Sequence, residues 1–183
     1  MGGRLTFVLG GARSGKSTWA QEWAAAQAGP VLFVATAQAF DDEMRSRIAR
    51  HQAERPPTWR TLEQPLDVGA ALLSNPPVEP VVVIDCLTLL ISNILLALPE
   101  DAAQADVNGA VLAETEALLT AQRSSAANWL IVSNEVGMGI VPPTRLGRYY
   151  RDALGYANQH MARGAHEVLL LVAGLPWRLK TDN

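Results

Sequence analysis

The chain has one cysteine, Cys86, in 183 residues. A single thiol excludes an internal disulfide and suits a reducing compartment. Charge is also sparse: 18% of residues are Asp, Glu, Lys or Arg, and the net charge is -3. That balance argues against a nucleic-acid-binding surface or a polybasic membrane patch. There are three histidines. His160 and His166 have no partners at metal-ligand spacing, so a metal centre built on them is not expected. Repeats, low-complexity tracts and a domain linker are lacking, and the length fits one domain.

Long hydrophobic runs are nearly absent as well. Only Val81 to Leu98 is apolar for long enough to suggest a membrane span. Asp85, Ser92 and Asn93 interrupt it, and Pro76, Pro77 and Pro80 precede it. A buried strand ending in an aspartate, followed by a leucine-rich helix, explains it better, so no membrane span is expected. The apolar run after Arg4 is short and enters a glycine motif, so no secretory signal is expected, and the cytoplasm is the expected location. Aromatics make up 6% of the chain, yet five are tryptophans: Trp19, Trp23, Trp59, Trp129 and Trp177. Most are expected in the core, with some available to an interface.

What the chain does have is an alternation of short apolar runs and helical patterns. Strands are predicted at Leu5–Leu9, Val31–Ala35, Thr58–Glu63, Val81–Asp85, Trp129–Ser133 and Val168–Ala173. Helices are predicted over Thr18–Ala28, from Asp41 or Asp42 to about Glu54, Leu66–Leu73, Val107–Arg123 and Thr144–Arg163. Glu100–Asp106 reads as a surface loop. The order predicts an α/β fold with a mostly parallel sheet and helices on both faces.

Residues 10–17, Gly10-Gly11-Ala12-Arg13-Ser14-Gly15-Lys16-Ser17, match the phosphate-binding pattern G-x-x-x-x-G-K-[S/T] between a strand and a helix. Glycines let consecutive N–H groups turn inward around phosphate oxygens. The helix N-terminus adds partial positive charge. In such loops the lysine reaches the β- and γ-phosphates and the hydroxyl ligates Mg²⁺. Lys16 and Ser17 take those places, so the fold is expected to be of the P-loop NTPase type, RecA-like. Asp85, at the carboxyl end of its strand, fits a second Mg²⁺ ligand or the N-cap of the following helix. The motif leaves the reaction open. The N-K-x-D signature of switch GTPases is absent, and the small size favours a metabolite kinase.

Met44, Ile48 and His51 recur at one helical face. His51 fits a half-buried structural histidine, or a neutral imidazole able to attack a phosphate at neutral pH. Asn134 and Glu135 follow a strand at the sheet edge where ligands bind; they fit either a substrate contact or a turn. Arg145, Arg148 and Arg151 share one helical side and read as a solvated face. Cys86 reads as a small buried residue, with no base placed beside it.

Several segments occur in a telling order: GGARSGKS at Gly10–Ser17, Val34-Ala35-Thr36-Ala37, Asp41-Asp42-Glu43-Met44, and Arg50-His51 through Arg55-Pro56 with Trp59-Arg60-Thr61. Asp85-Cys86-Leu87-Thr88, the loop Ser133–Pro142, Arg151-Asp152, Asn158-Gln159 and Val172–Pro176 follow. Together they resemble the bifunctional adenosylcobinamide kinase / adenosylcobinamide-phosphate guanylyltransferases of cobalamin biosynthesis, over Leu5 to Lys180. The resemblance implies a single P-loop domain over 1–183 that phosphorylates adenosylcobinamide with ATP or GTP. It implies a second step in which GMP from GTP passes through a histidine, here His51, to adenosylcobinamide phosphate. It implies nucleotide contacts at Gly10–Ser17, at Ala35, Thr36 and Ala37, at Gln52, Ala53 and Glu54, and at Glu63 and Asp85. Mg²⁺ held by Ser17 and Asp85, and a homo-oligomer, a trimer, complete what it implies.

Overall fold

The computed structural model describes residues 2–38, 45, 52 and 55–182. His51, Ala53 and Glu54 lie outside the described residues, as does the helix expected over 41–54 apart from Arg45 and Gln52. Seven strands form one sheet among the described residues: β1 (Leu5–Gly10), β2 (Val31–Ala35), β3 (Arg60–Glu63), β4 (Val81–Asp85), β5 (Asn128–Val132), β6 (Glu167–Val172) and β7 (Leu175–Thr181). Their order is β3-β2-β4-β5-β1-β6-β7. Every pairing is parallel except β6 with β7.

Period-two alternation sorts the strand residues between two apolar layers. Leu5, Phe7, Leu32, Val34, Val82, Ile84, Trp129 and Ile131 face one layer. That layer is closed by four helices: α2 (Val68–Ser74), α3 (Leu87–Ala97), α4 (Gln104–Arg123) and α5 (Arg145–Gly164). Val8, Val31, Phe33, Val81, Val83, Leu130 and Val132 face the other layer, where Ala20 and Ala24 of α1 (Lys16–Ala26) pack with Trp19, Trp23 and Trp59. The central parallel strands β1, β2, β4 and β5 are buried on both faces, as their near-continuous apolar composition requires. The stretch from 81 to 98 resolves into β4 and α3. No described helix is long and apolar enough to cross a membrane.

Two expectations change. The segment read as a surface loop up to Asp106 turns helical at Gln104, because the Ala103 N–H donates to the Asp106 carboxylate at 3.1 Å and closes the first turn. β7 was not expected. It returns antiparallel through a two-residue turn at Ala173 (φ 51°) and Gly174 (φ 81°), both left-handed, as tight hairpins require. Trp177 on β7 is 66% exposed, unlike Trp129, which is fully buried.

Candidate active site

β1 stands inside the sheet with β5 and β6 beside it, so its carboxyl end opens where the chain crosses away to β2. Crevices at such switch points hold ligands in open α/β sheets. The glycine loop turns here. Arg13 (φ 57°) and Gly15 (φ 95°) both adopt left-handed backbone. The Gly174 N–H donates to the Ser14 carbonyl at 2.9 Å, so the β6–β7 turn buttresses the loop from behind. A Cβ on Gly10 would meet Ser14 Oγ at 2.5 Å and the Leu171 carbonyl at 2.6 Å, so only glycine fits there.

Lys16 opens α1 and is 7% exposed. Its ammonium donates to the Gly11 carbonyl at 2.7 Å and to Ser14 Oγ at 3.4 Å. Burial lowers its pKa, an effect opposed by the nearby Cys86 and Asp85. Ser17 follows, and its hydroxyl makes no hydrogen bond to a described residue.

Asp85 ends β4 one strand beyond β5, and its backbone aligns with Ala35 on one side and Val132 on the other. The N-cap of α3 is Cys86, which makes no side-chain cap bond, so the cap position is not that of Asp85. Burial pushes the Cys86 thiol up to about 12, with Asp85 adding to the shift. A neutral thiol at pH 7 agrees with its reading as no nucleophile, though Cys86 is half-buried on the cavity wall. Thr36 is fully buried and joins β2 to β4: its Oγ1 donates to the Cys86 carbonyl at 2.7 Å and accepts from the Cys86 N–H at 2.9 Å.

One cavity of about 640 Å³ gathers most of the expected residues: Ala12, Arg13, Ser14, Gly15, Lys16, Ser17, Ala35, Ala37, Glu63 and Asp85. Its size suits a nucleotide. Gly10, Gly11 and Thr36 are not among the residues lining it. Gln52 is also not among them, but its amide donates to Glu63 Oε1 at 2.6 Å. His51 lies outside the described residues.

Asn134, expected as either a substrate contact or a turn, also lines the cavity, as do Arg55 and Thr88, to which the sequence assigned no separate role. The Arg55 guanidinium lies 3.8 Å from the centre of the Phe33 ring, which Trp59 stacks against at 6.2 Å. Its Nε is buried without a hydrogen-bond partner among the described residues. Burial lowers the Arg55 pKa, and Asp85 and Glu63 oppose that effect. Arginine stays protonated even so, which adds its charge to those of Arg13 and Lys16 on the cavity wall. Its place in the Arg50–Pro56 segment was the available signal. Nothing in the sequence placed it against the P-loop.

The other singled-out residues have structural partners. Leu5 N–H donates to His166 Nδ1 at 2.9 Å, and His160 pairs with Glu116 at 3.0 Å. Arg145 donates to the Ala102 carbonyl at 2.7 Å and Arg148 to the Pro143 carbonyl at 2.8 Å, so this helical side fastens loops. Arg151 pairs with the adjacent Asp152.

The Mg²⁺ expectation can be tested against the donor set. Ser17 offers a hydroxyl and Asp85 a carboxylate, both on the one cavity. Oxygen donors of this kind suit Mg²⁺, which keeps several waters and takes few protein ligands. The residues present therefore fit the ion.

Comparisons with known proteins identify the family of the chain. The family model described as cobinamide kinase / cobinamide phosphate guanyltransferase matches residues 6–179. The bifunctional adenosylcobalamin biosynthesis protein CobP of Pseudomonas aeruginosa is 44% identical over 176 residues, spanning 96% of this chain and 97% of that protein. The bifunctional adenosylcobalamin biosynthesis protein CobU of Salmonella typhimurium is 39% identical, spanning 96% of this chain and 99% of its own. Its Escherichia coli namesake is 38% identical over the same shares. A crystal structure of the RadB recombinase superposes with a TM-score of 0.49 at 16% identity, covering 92% of this chain and 74% of that one. With a full-length family match and near full-length relatives, the chain belongs to the cobinamide kinase / cobinamide phosphate guanyltransferase family.

Proposed function

We propose that this chain phosphorylates the aminopropanol hydroxyl of adenosylcobinamide with ATP or GTP, then transfers GMP from GTP onto the resulting phosphate. The product is adenosylcobinamide-GDP, an intermediate of cobalamin biosynthesis. The family match over residues 6–179 carries this reading. The P-loop cavity supports its first half.

In the kinase step the substrate hydroxyl oxygen bonds to the γ-phosphorus while the bond to the β–γ bridging oxygen breaks. The nucleoside diphosphate leaves with that electron pair, and the hydroxyl proton passes to water. Positioning and charge stabilisation are what a protein contributes to such a transfer. The loop N–H groups hold the phosphates. Lys16 exchanges its Gly11 carbonyl partner for phosphate oxygens and neutralises their growing charge. Ser17 and Asp85 would hold Mg²⁺, which would supply positive charge to offset that of the phosphates.

In the second step an imidazole nitrogen of His51 bonds to the α-phosphorus of GTP and pyrophosphate departs. A phosphate oxygen of the substrate then displaces the imidazole, which regains its lone pair. Covalent catalysis divides one difficult displacement into two easier ones. The chain is proposed to work as a single domain, in the cytoplasm, as a homo-oligomer.

Labelling with α-³²P-GTP tests this reading. Wild-type protein should retain label after denaturation. As a phosphoramidate the adduct should be lost in acid and survive alkali. His51→Ala should abolish labelling and guanylylated product yet keep measurable kinase activity. Label that persists in this variant, or resists acid, would remove His51 from the mechanism.

A further inference from the structure

Asn134 has a backbone fixed from several sides and a side chain left open. It follows β5, the strand between the P-loop strand β1 and the Asp85 strand β4. Its N–H donates to Thr88 Oγ1 at 2.6 Å, and its carbonyl accepts from Asn158 Nδ2 at 3.0 Å. Asn158 is buried, and its Oδ1 accepts from Ser133 Oγ at 2.7 Å. The next N–H, that of Glu135, donates to the Gly10 carbonyl at 3.0 Å and ties the segment to the start of the P-loop. A connected buried polar network of this kind holds one geometry.

The two residues that the sequence left paired now separate. Glu135 turns its carboxylate back on its own loop, accepting the Gly137 N–H at 2.6 Å. The Asn134 carboxamide makes no hydrogen bond to a described residue and lines the cavity with Lys16, Ser17 and Asp85. A carboxamide carries two N–H donors and one acceptor oxygen. Beside a phosphoryl group its donors match the equatorial oxygens, on which charge accumulates during transfer.

We propose that Asn134 is a catalytic residue of phosphoryl transfer, its amide N–H donating to an oxygen of the terminal phosphate as that group passes to the substrate hydroxyl. The proposal rests on the kinase reading of the cavity. Asn134 forms and breaks no bond to phosphorus; it stabilises charge from a preset position, as fixed donors do in other transfer sites.

The test measures ATP and ADP affinity by calorimetry for wild type, Asn134→Ala and Asn134→Asp, with corrinoid-dependent phosphorylation and thermal unfolding alongside. Asn134→Ala should leave ADP affinity and the unfolding temperature unchanged. Its preference for ATP over ADP should fall about tenfold, the size of a lost hydrogen bond to a charged group. Its kcat for phosphorylation should fall about 100-fold. Asn134→Asp should lose more, because a carboxylate lacks the donors and repels the phosphate. An unchanged ATP-over-ADP ratio in both variants overturns the proposal, as does an equal fall in affinity for the two nucleotides. Absence of corrinoid-dependent turnover in wild type would count against the kinase reading instead. The ATP-over-ADP ratio would then still decide whether Asn134 meets the third phosphate.

Discussion

Asp85 is the residue for which two readings make opposite predictions. A metal ligand needs its negative charge; a helix cap needs only a short acceptor, which asparagine supplies as well as aspartate. The cap position falls at Cys86, one residue later, and Asp85 stands on the cavity wall with Lys16 and Ser17. Asp85→Asn should therefore preserve the unfolding temperature and raise the Mg²⁺ concentration needed for half-maximal kinase activity by about tenfold or more. A Mg²⁺ titration of turnover checks this, and an unchanged midpoint with normal rate would return Asp85 to a structural role. At this scale the sequence was legible wherever a motif fixes chemistry to a spacing. Lys16, Ser17 and Asp85 needed no coordinates to be singled out. Arg55 did, and so did the choice between the two readings of Asn134, because the strand order brings residues distant in sequence onto one cavity.

Element boundaries follow the same logic. β1, β2 and β4 were readable because a central parallel strand must be apolar on both faces. β7 was not, because Leu175–Thr181 mixes proline and charge on a mostly exposed edge, and Ala173 gives little hint of a left-handed turn. The opposite edge has a more definite anchor. Arg60 of β3 donates to Glu79 at 2.6 and 3.0 Å, a two-point pair in which Glu79 is buried and Arg60 is 52% exposed. This pair holds the edge strand to the segment entering β4. The hydrogen bond from Arg60 lowers the Glu79 pKa below the usual carboxylate range. A depressed folded-state pKa adds stability that is complete above the unfolded value, about 4.3, and is lost as pH falls through the folded one. Glu79→Gln should cost about 1 kcal/mol at pH 7, limited by the exposure of Arg60. Urea unfolding at a series of pH values should show that difference shrinking only below about pH 4.3. A difference that grew on acidification would contradict the pairing.

Considered whole, the molecule leaves more apolar surface in water than its layered core requires. Leu175, Trp177 and Leu179 on β7 are 72%, 66% and 50% exposed, and Val172 across the hairpin is 57% exposed. β7 is also an edge strand, with one row of backbone groups unpaired in the sheet. Monomers usually protect such an edge with charge, proline or a covering segment. A clustered apolar patch on this scale marks an interaction surface. The sheet accounts for the hairpin's position behind the P-loop, where Gly174 meets Ser14, but not for its outward tryptophan. Self-association through this surface would account for both the tryptophan and the open edge. We propose a trimer, the state the family resemblance implies; light scattering at micromolar concentration should then report one species near three times the 19.7 kDa chain mass. Trp177→Asp should shift that species toward smaller assemblies, since a carboxylate buried at an interface without a partner costs several kcal/mol. The far-ultraviolet spectrum of the variant should be unchanged, because Trp177 lies outside both packed layers. A wild-type chain that stays monomeric across this range would remove the oligomer. A trimer unaffected by Trp177→Asp would move its interface away from the hairpin.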